Sequence, residues 1–331
     1  MAEQTLNPGA ILSLSAGYWR SCAVHAAVML DVFGPLAQGG LSAKELADRL
    51  SCDAGALGRL CTALAALKLL DRRGETFSLN EISRTFLLKD APRSIVHILR
   101  HHRHLAPTWT RLDTAVRAGR PPRSSGAWEG EEREDFLMGM FNLAMGIAPR
   151  LAAELPLSGR KRLLDLGGGP GTYAIHFCLA RPRLSAVIFD LPTTEPVAQK
   201  TVARFGVADR VGFAPGDYLE DPLPRGFDAV WLSQILHGEG EADCRRILAK
   251  AAGALNPGGL LFVHEFFLDD SLDGPEFPAL FSLNMLLVTE QGRSYAEGEM
   301  RAMLAEAGLI DIRRLPFRGP NDSGILCGVK G

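Results

Sequence analysis

The sequence predicts an α/β fold, a mostly parallel sheet with helices on both faces, preceded by a separate helical region. Three observations predict it. The run Arg162-Leu163-Leu164-Asp165-Leu166-Gly167-Gly168-Gly169-Pro170-Gly171-Thr172 reads as a buried strand, an alternating-glycine turn and a helix start. Beyond it, short apolar runs alternate with helical ones to the end of the chain, which implies a layered α/β domain. Ahead of it, the stretch from Leu41 to Leu88 reads helix, turn, helix, hairpin.

Composition sets the bounds. The chain has 331 residues, enough for two domains, and 47% apolar content can fill their cores. A formal net charge of -2 provides no basic field for nucleic acid. No uncharged apolar run approaches the ~18 residues of a membrane span. MAEQTLNPGA lacks the basic-then-apolar plan of a signal peptide, so a cytoplasmic protein is expected. Cys22, Cys52, Cys61, Cys178, Cys244 and Cys327 show no C-x-x-C spacing; they read as buried thiols in a reducing cytoplasm, not disulfides or a metal site.

Along the chain, Ile11 to Leu36 is apolar at helical spacing on more sides than a solvated helix tolerates. A partner subunit covering it is the expectation. Ser42 and Glu45 form a capping box for a helix over Ala43–Leu50, and Asp53 caps a second over Ala54–Leu69. A hairpin about Asp71–Glu75 completes the winged-helix order. The second helix carries only Arg59 and Lys68, too few cations for phosphate contact, so it packs on protein. His97, His101, His102 and His104 read as a solvated basic helix with no acidic partner nearby. Arg117 to Asp135, rich in Gly, Pro, Ser and Glu, reads as a loop, and Phe136 to Leu155 returns to helical spacing.

Strands are expected at Arg162–Leu166, Ser185–Phe189, Val211–Ala214, Ala229–Ser233, Gly259–Glu265, Ile310–Leu315 and Ser323–Val329. Helices are expected at Thr194–Phe205, Glu241–Leu255 and Glu297–Ala307. The last two strands have too short a connection for a crossover, so they pair antiparallel. The result is a Rossmann-like, seven-stranded domain.

Ligands of such sheets sit at the C-terminal strand ends. Gly167, Gly169 and Gly171 admit close approach of a ligand to the backbone. Asp165 before them repels phosphate but suits an ammonium, so a sulfonium nucleoside such as S-adenosylmethionine (SAM) fits better than NAD. Asp190, followed by Leu191, can accept from ribose hydroxyls. Gly216 precedes Asp217, which can accept from an adenine amino group, and Tyr218, which covers the ring. Ser233 ends the fourth strand, with His237 one turn beyond.

LLDLGGGPGT, Asp190, Asp217-Tyr218, the histidine of LSQILHGEGEADCRRIL and the glutamate of LLFVHE together resemble class I SAM-dependent methyltransferases. The resemblance is to the small-molecule O-methyltransferases of the caffeic acid and acetylserotonin type, in their bacterial branch, and it covers nearly the whole chain. It implies an N-terminal winged-helix dimerisation domain over residues 1–116, a linker loop and connecting helix over 117–160, and a SAM-binding methyltransferase domain over 161–331. It implies His237 as catalytic base supported by Glu265, and among the apolar side chains expected over the sheet, Phe141 and Phe281 included, it points to Met145, Asn284 and Met285 as lining the acceptor pocket. The chain departs from the family in reading His237-Gly238-Glu239 where His-Asp-Trp is usual, and Gln291-Gly292-Arg293 offers no second glutamate. The implied activity is methyl transfer from SAM to a hydroxyl of a small aromatic or polycyclic molecule by a cytoplasmic homodimer, without nucleic acid or membrane. N-, S- or C-transfer, a non-methylating SAM binder and a SAM-sensing regulator are the alternatives.

Overall fold

The computed structural model describes residues 7–122 and 130–331. Residues 1–6, and residues 123–129 of the stretch read as loop, lie outside the described residues. The chain divides into two units, one of residues 7–106 with 130–142, the other of residues 107–122 with 143–331.

In the first unit the apolar stretch from Ile11 to Leu36 is not one helix. It is α1 (Gly9–Ser15) and α2 (Tyr18–Met29). Gly17 weakens the helix between them. After α2, Asp31 takes a left-handed φ of 52°, and Pro35 cannot donate to a continuing helix. Ala27, Val28 and Val32 point into the unit, whereas Leu14 is 80% and Trp19 65% exposed.

The region that follows is built as expected. β1 (Leu41–Ser42) leads into α3 (Ala43–Leu50), where Glu45 N donates to Ser42 Oγ at 3.2 Å and Ser42 N to Glu45 Oε2 at 2.8 Å. α4 (Ala54–Ala66) starts at Asp53, whose Oδ1 accepts from Ala56 N at 2.7 Å. It ends before the expected Leu69, because Lys68 turns left-handed at φ 63°. β2 (Asp71–Arg73) and β3 (Thr76–Ser78) form the hairpin, and β1-β3-β2 is an antiparallel sheet. Leu57, Cys61 and Leu64 bury the apolar face of α4 against Leu46, Phe33 and Phe77.

Two expectations fail next. α5 (Glu81–Phe86), α6 (Val96–Trp109) and α7 (Leu112–Ala118) precede α8 (Gly130–Met145), so Gly130–Asp135 is helix rather than loop. The histidines of α6 do have an acidic partner. Asp135, 5% exposed, meets His97 Nδ1 at 2.8 Å and His104 Nε2 at 3.1 Å. His97 and His104 are seven residues apart, about two turns, so both reach one carboxylate. Val96, Ile98, His101 and Leu105 are buried, and the helix is not a solvated one.

The second unit holds α9 (Ala148–Glu154), β4 (Arg162–Leu166), α10 (Thr172–Ala180), β5 (Ser185–Asp190), α11 (Glu195–Arg204) and β6 (Val211–Pro215). β7 (Phe227–Ser233), α12 (Glu241–Ala254), β8 (Leu255–Glu265), α13 (Glu276–Val288), α14 (Glu297–Glu306), β9 (Leu309–Arg318) and β10 (Gly324–Lys330) follow. The described residues form a seven-stranded sheet in the order β6-β5-β4-β7-β8-β10-β9. β4 to β8 run parallel, and β10 is antiparallel to both β8 and β9. β8 starts four residues before the expected Gly259, because Asn256–Gly259 bulges out between the pairs Phe227–Leu255 and Ala229–Leu260.

Alternation along the strands assigns every central side chain to a face. Leu163, Ala229, Trp231, Leu260 and Phe262 pack under α10 and α11 with Phe177, Ala198 and Val202. Leu164, Leu166, Val230, Leu232, Leu261 and Val263 pack under α12 and α14 with Ile247, Leu248, Met300 and Leu304. The same parity sends Asp165, Ser233 and His264 to the α10 side and Glu265 to the α12 side.

Candidate active site

The carboxyl-terminal ends of β4, β5, β7 and β8 lie side by side, and the groups of interest sit on them or just beyond. The β4–α10 turn is the floor. Gly171, at φ 78°, starts α10, and a Cβ there would run into Ile188 Cδ1. Gly169, at φ 53°, has nothing within 4 Å of where a Cβ would stand, so its α-carbon faces open space.

Two carboxylates shape this turn from opposite sides. Asp165 lies beneath it, 1% exposed, and accepts from Ala174 N in the first turn of α10 at 3.2 Å. Burial pushes its carboxyl up to about 7, helped by the charge of Asp190 and opposed by the Ala174 bond. Asp190, at the end of β5, accepts from Gly169 N through Oδ2 and from Leu191 N through Oδ1, both at 2.8 Å. It is half-buried with lone pairs left to accept further hydroxyls, and Leu191 beside it is 45% exposed.

Past β6, Gly216 packs so closely on the Phe189 ring that a side chain would overlap it. Asp217 accepts from Leu219 N at 2.8 Å through Oδ1. Tyr218 donates its hydroxyl to Glu239 Oε1 at 2.8 Å, and Lys250 Nζ donates to the Tyr218 carbonyl at 2.6 Å. Burial and neighbouring carboxylates raise the phenol and keep it protonated. Glu239 therefore stands in the His237-Gly238-Glu239 segment as an anchor for Tyr218.

The histidine and glutamate come together. Glu265, 4% exposed at the end of β8, meets His237 Nδ1 through Oε2 at 2.8 Å. Its Oε1 accepts from Leu236 N at 3.0 Å and from His237 N at 3.4 Å. One carboxylate thus holds both the backbone and the ring. With Nδ1 engaged by an acceptor, the neutral ring carries its hydrogen on Nδ1 and leaves the lone pair on Nε2. Phe281 of α13 packs edge-on against the ring at 4.7 Å between centroids, and Phe266 and Phe277 complete an aromatic wall.

The remaining expected residues are dispersed. Asn284 Oδ1 accepts from Trp109 Nε1 at 2.9 Å, which fixes the amide, and Met285 is buried on the same helix. Met145 lies with its sulfur 3.3 Å from His176 Nε2 on α10, where Ile147 packs into the core under that helix. Phe141 is buried in the first unit at 5% exposure. Ser233 Oγ lies 2.9 Å from His264 Nδ1, and His264 Nε2 lies 3.0 Å from Ser323 Oγ. Sequence reading missed Trp109, Tyr173, Glu239, His264 and Ser323. Only His264 left a signal, since strand parity beside Glu265 sends it to the opposite face.

The comparisons with known proteins fit this geometry. Residues 109–310 match an O-methyltransferase domain and residues 12–89 an O-methyltransferase dimerisation domain. A 3-hydroxy-5-methyl-1-naphthoate 3-O-methyltransferase of Streptomyces sahachiroi is 35% identical, covering 98% of this chain and 95% of its own. The chain belongs to the O-methyltransferase family. A tetracenomycin polyketide synthesis 8-O-methyl transferase of Streptomyces glaucescens is 34% identical to this methyltransferase over 96% of both chains. The structure of PigF with SAH superposes with a TM-score of 0.89 at 27% identity, over 98% of this chain and all of that one. The methyl donor is S-adenosylmethionine, and the donor set suits it. The strand ends offer carboxylate acceptors for its hydroxyl and amino hydrogens, and the open side of Gly169 leaves room for it.

Proposed function

We propose that His237 is the general base of this SAM-dependent O-methyltransferase and that Glu265 orients it. The enzyme transfers a methyl group to a hydroxyl of a small molecule, and SAM supplies that methyl as a sulfonium electrophile when bound. The protein's own tasks are to align the acceptor and take its proton. The observation that carries the reading is the bidentate hold of Glu265 on the ring of His237 and on the backbone N–H groups of Leu236 and His237. Nε2 is left to receive the hydroxyl proton, and the nearby carboxylate stabilises the imidazolium that results.

Asp190 and Leu191 are assigned to the ribose, Gly216, Asp217 and Tyr218 to the adenine, and Gly167, Gly169 and Gly171 to the turn around the donor, with Ser233 holding the end of β7 beside it. Asp165 is assigned to the ammonium, whose charge would favour the ionised form of a carboxyl that titrates at about 7 without it. Met145, Phe281, Asn284 and Met285 of the second unit are assigned to the acceptor. The wall of Phe266, Phe277 and Phe281 beside His237 favours a flat apolar acceptor. The naphthoate named for the Streptomyces sahachiroi relative suggests a fused aromatic ring with a hydroxyl. We also propose a cytoplasmic homodimer formed through residues 1–116, with 117–160 as connector and 161–331 as the catalytic domain.

The test is transfer of label from methyl-labelled SAM to a panel of hydroxynaphthoates, phenols, thiols and amines. Label is expected on a hydroxynaphthoate. His237→Ala should cost about 10²–10⁴-fold in turnover with SAM affinity kept. Undiminished turnover in that variant removes the histidine from the mechanism.

A further inference from the structure

We propose that His264 is a positioning residue for His237, acting from the opposite face of the sheet through Ser233 and Gln234. The inference rests on His237 being the base.

His264 and Glu265 are consecutive on β8, so their side chains leave opposite faces. Both grip the segment that follows β7. Glu265 holds Leu236 and His237. His264 holds the two residues after Leu232: its ring nitrogen Nδ1 meets Ser233 Oγ at 2.9 Å, and its carbonyl accepts from Gln234 N at 2.9 Å. Between the two grips the backbone makes a tight reversal. Gln234 has φ 60°, a left-handed conformation costing a non-glycine residue roughly 1–2 kcal/mol. Such a conformation persists where its surroundings over-determine it. Here the surroundings are two adjacent residues of one strand.

The far side of the imidazole is anchored as firmly. Nε2 meets Ser323 Oγ at 3.0 Å, and the Ser323 carbonyl accepts from Gly319 N at 2.9 Å. Trp231 stacks on the ring, and Tyr173 and Phe317 close its edges. The ring is 1% exposed, and burial pushes its pKa down to about 4, so it is neutral in use. A neutral imidazole donates from one nitrogen and accepts at the other, so it satisfies one serine in each role. The Ser233 hydroxyl is thereby spent inside the fold, and its service to the site is to hold the end of β7 rather than to touch the donor.

The two nitrogens of His264 can be separated by substitution. His264→Asn carries an amide where Nδ1 stood and keeps the bond to Ser233. His264→Gln carries it where Nε2 stood and keeps only the bond to Ser323. Turnover is measured with labelled SAM and 3-hydroxy-1-naphthoate, beside His237→Ala. The ring-proton signal of His237 Nδ1 is followed by NMR in the SAM-free protein. Expected are a fall in kcat of about 10-fold or more for His264→Gln with KM for SAM within about 3-fold, and a smaller fall for His264→Asn. The Nδ1 proton signal should move or broaden in His264→Gln and stay in place in His264→Asn. Ser233→Ala should reproduce the His264→Gln pattern, and it carries the test if His264→Gln fails to fold. An unmoved signal in both His264 variants, or a Ser233→Ala that raises KM for SAM and spares kcat, overturns the positioning role. If His237→Ala loses activity while His264→Gln does not, only the positioning fails. If His237→Ala loses none, both readings fail.

Discussion

Asp165 and His264 are both buried on the α10 side of the sheet, and their ionisations pull stability in opposite directions. The folded carboxyl of Asp165 titrates at about 7 against an ordinary 3.8. The native state therefore binds more protons than the unfolded chain in that window, and stability falls as pH rises through it. The folded imidazole of His264 titrates at about 4 against an ordinary 6.5. There the unfolded chain binds more protons, so stability is lost as pH falls from 6.5 toward 4. The two slopes largely offset between about pH 4 and 6.5, each amounting to about 3–4 kcal/mol. Asp165→Asn keeps an acceptor for Ala174 N and removes one slope. Its thermal midpoint should equal or exceed that of the parent near pH 8 and fall more steeply on acidification. Calorimetry across that range checks this, and parallel pH profiles for the two proteins would refute it.

Among the elements, the junction of α6 and α8 shows where pattern reading stops. The histidines at 97 and 104 and the carboxylate at 135 were visible in the sequence, but their meeting was not. Periodicity assigns faces within a helix and says nothing of which helix comes alongside. Gly130–Asp135 looked like loop because its glutamates and glycine carry no apolar stripe; the apolar stripe of α8 begins only at Phe136. Asp135→Asn should lower stability by roughly 1–3 kcal/mol, because an amide accepts through one oxygen where the carboxylate used two. Chemical denaturation measures this, and a variant as stable as the parent would show the clamp to be idle. By contrast, the strand ends of the second unit were legible almost to the residue. Asp165 lies inside the last pair of β4, Asp190 ends β5 and Asp217 follows β6 by two residues, all beside apolar runs that mark the strands. The His237–Glu265 pair came from resemblance, since 28 residues separate the two and no local pattern joins them.

For the molecule as a whole, the outward apolar side chains of α1 and α2 are the feature to be explained. Ile11, Leu14, Tyr18 and Trp19 are each more than 60% exposed in the single chain, the last three within residues 12–89, which match a dimerisation domain. Contiguous exposure of this kind marks an association surface. Light scattering should give twice the chain mass for the parent. Leu14→Glu combined with Trp19→Glu should give the mass of one chain, and an unchanged mass in that variant would place the interface elsewhere. Among the described residues no single helix is long and apolar enough to cross a membrane.

The strand order has a consequence for synthesis. β10 is made after β9, yet it inserts between β9 and β8, with Gly324 opposite Glu265 and Ile325 opposite His264. A growing polypeptide emerging from the ribosome therefore carries β8 with one flank bare, and β9 has no neighbour to zip onto. The sheet cannot close until β10 has been translated, so a prematurely terminated product keeps His237 and Glu265 but lacks the strand that pairs with β8.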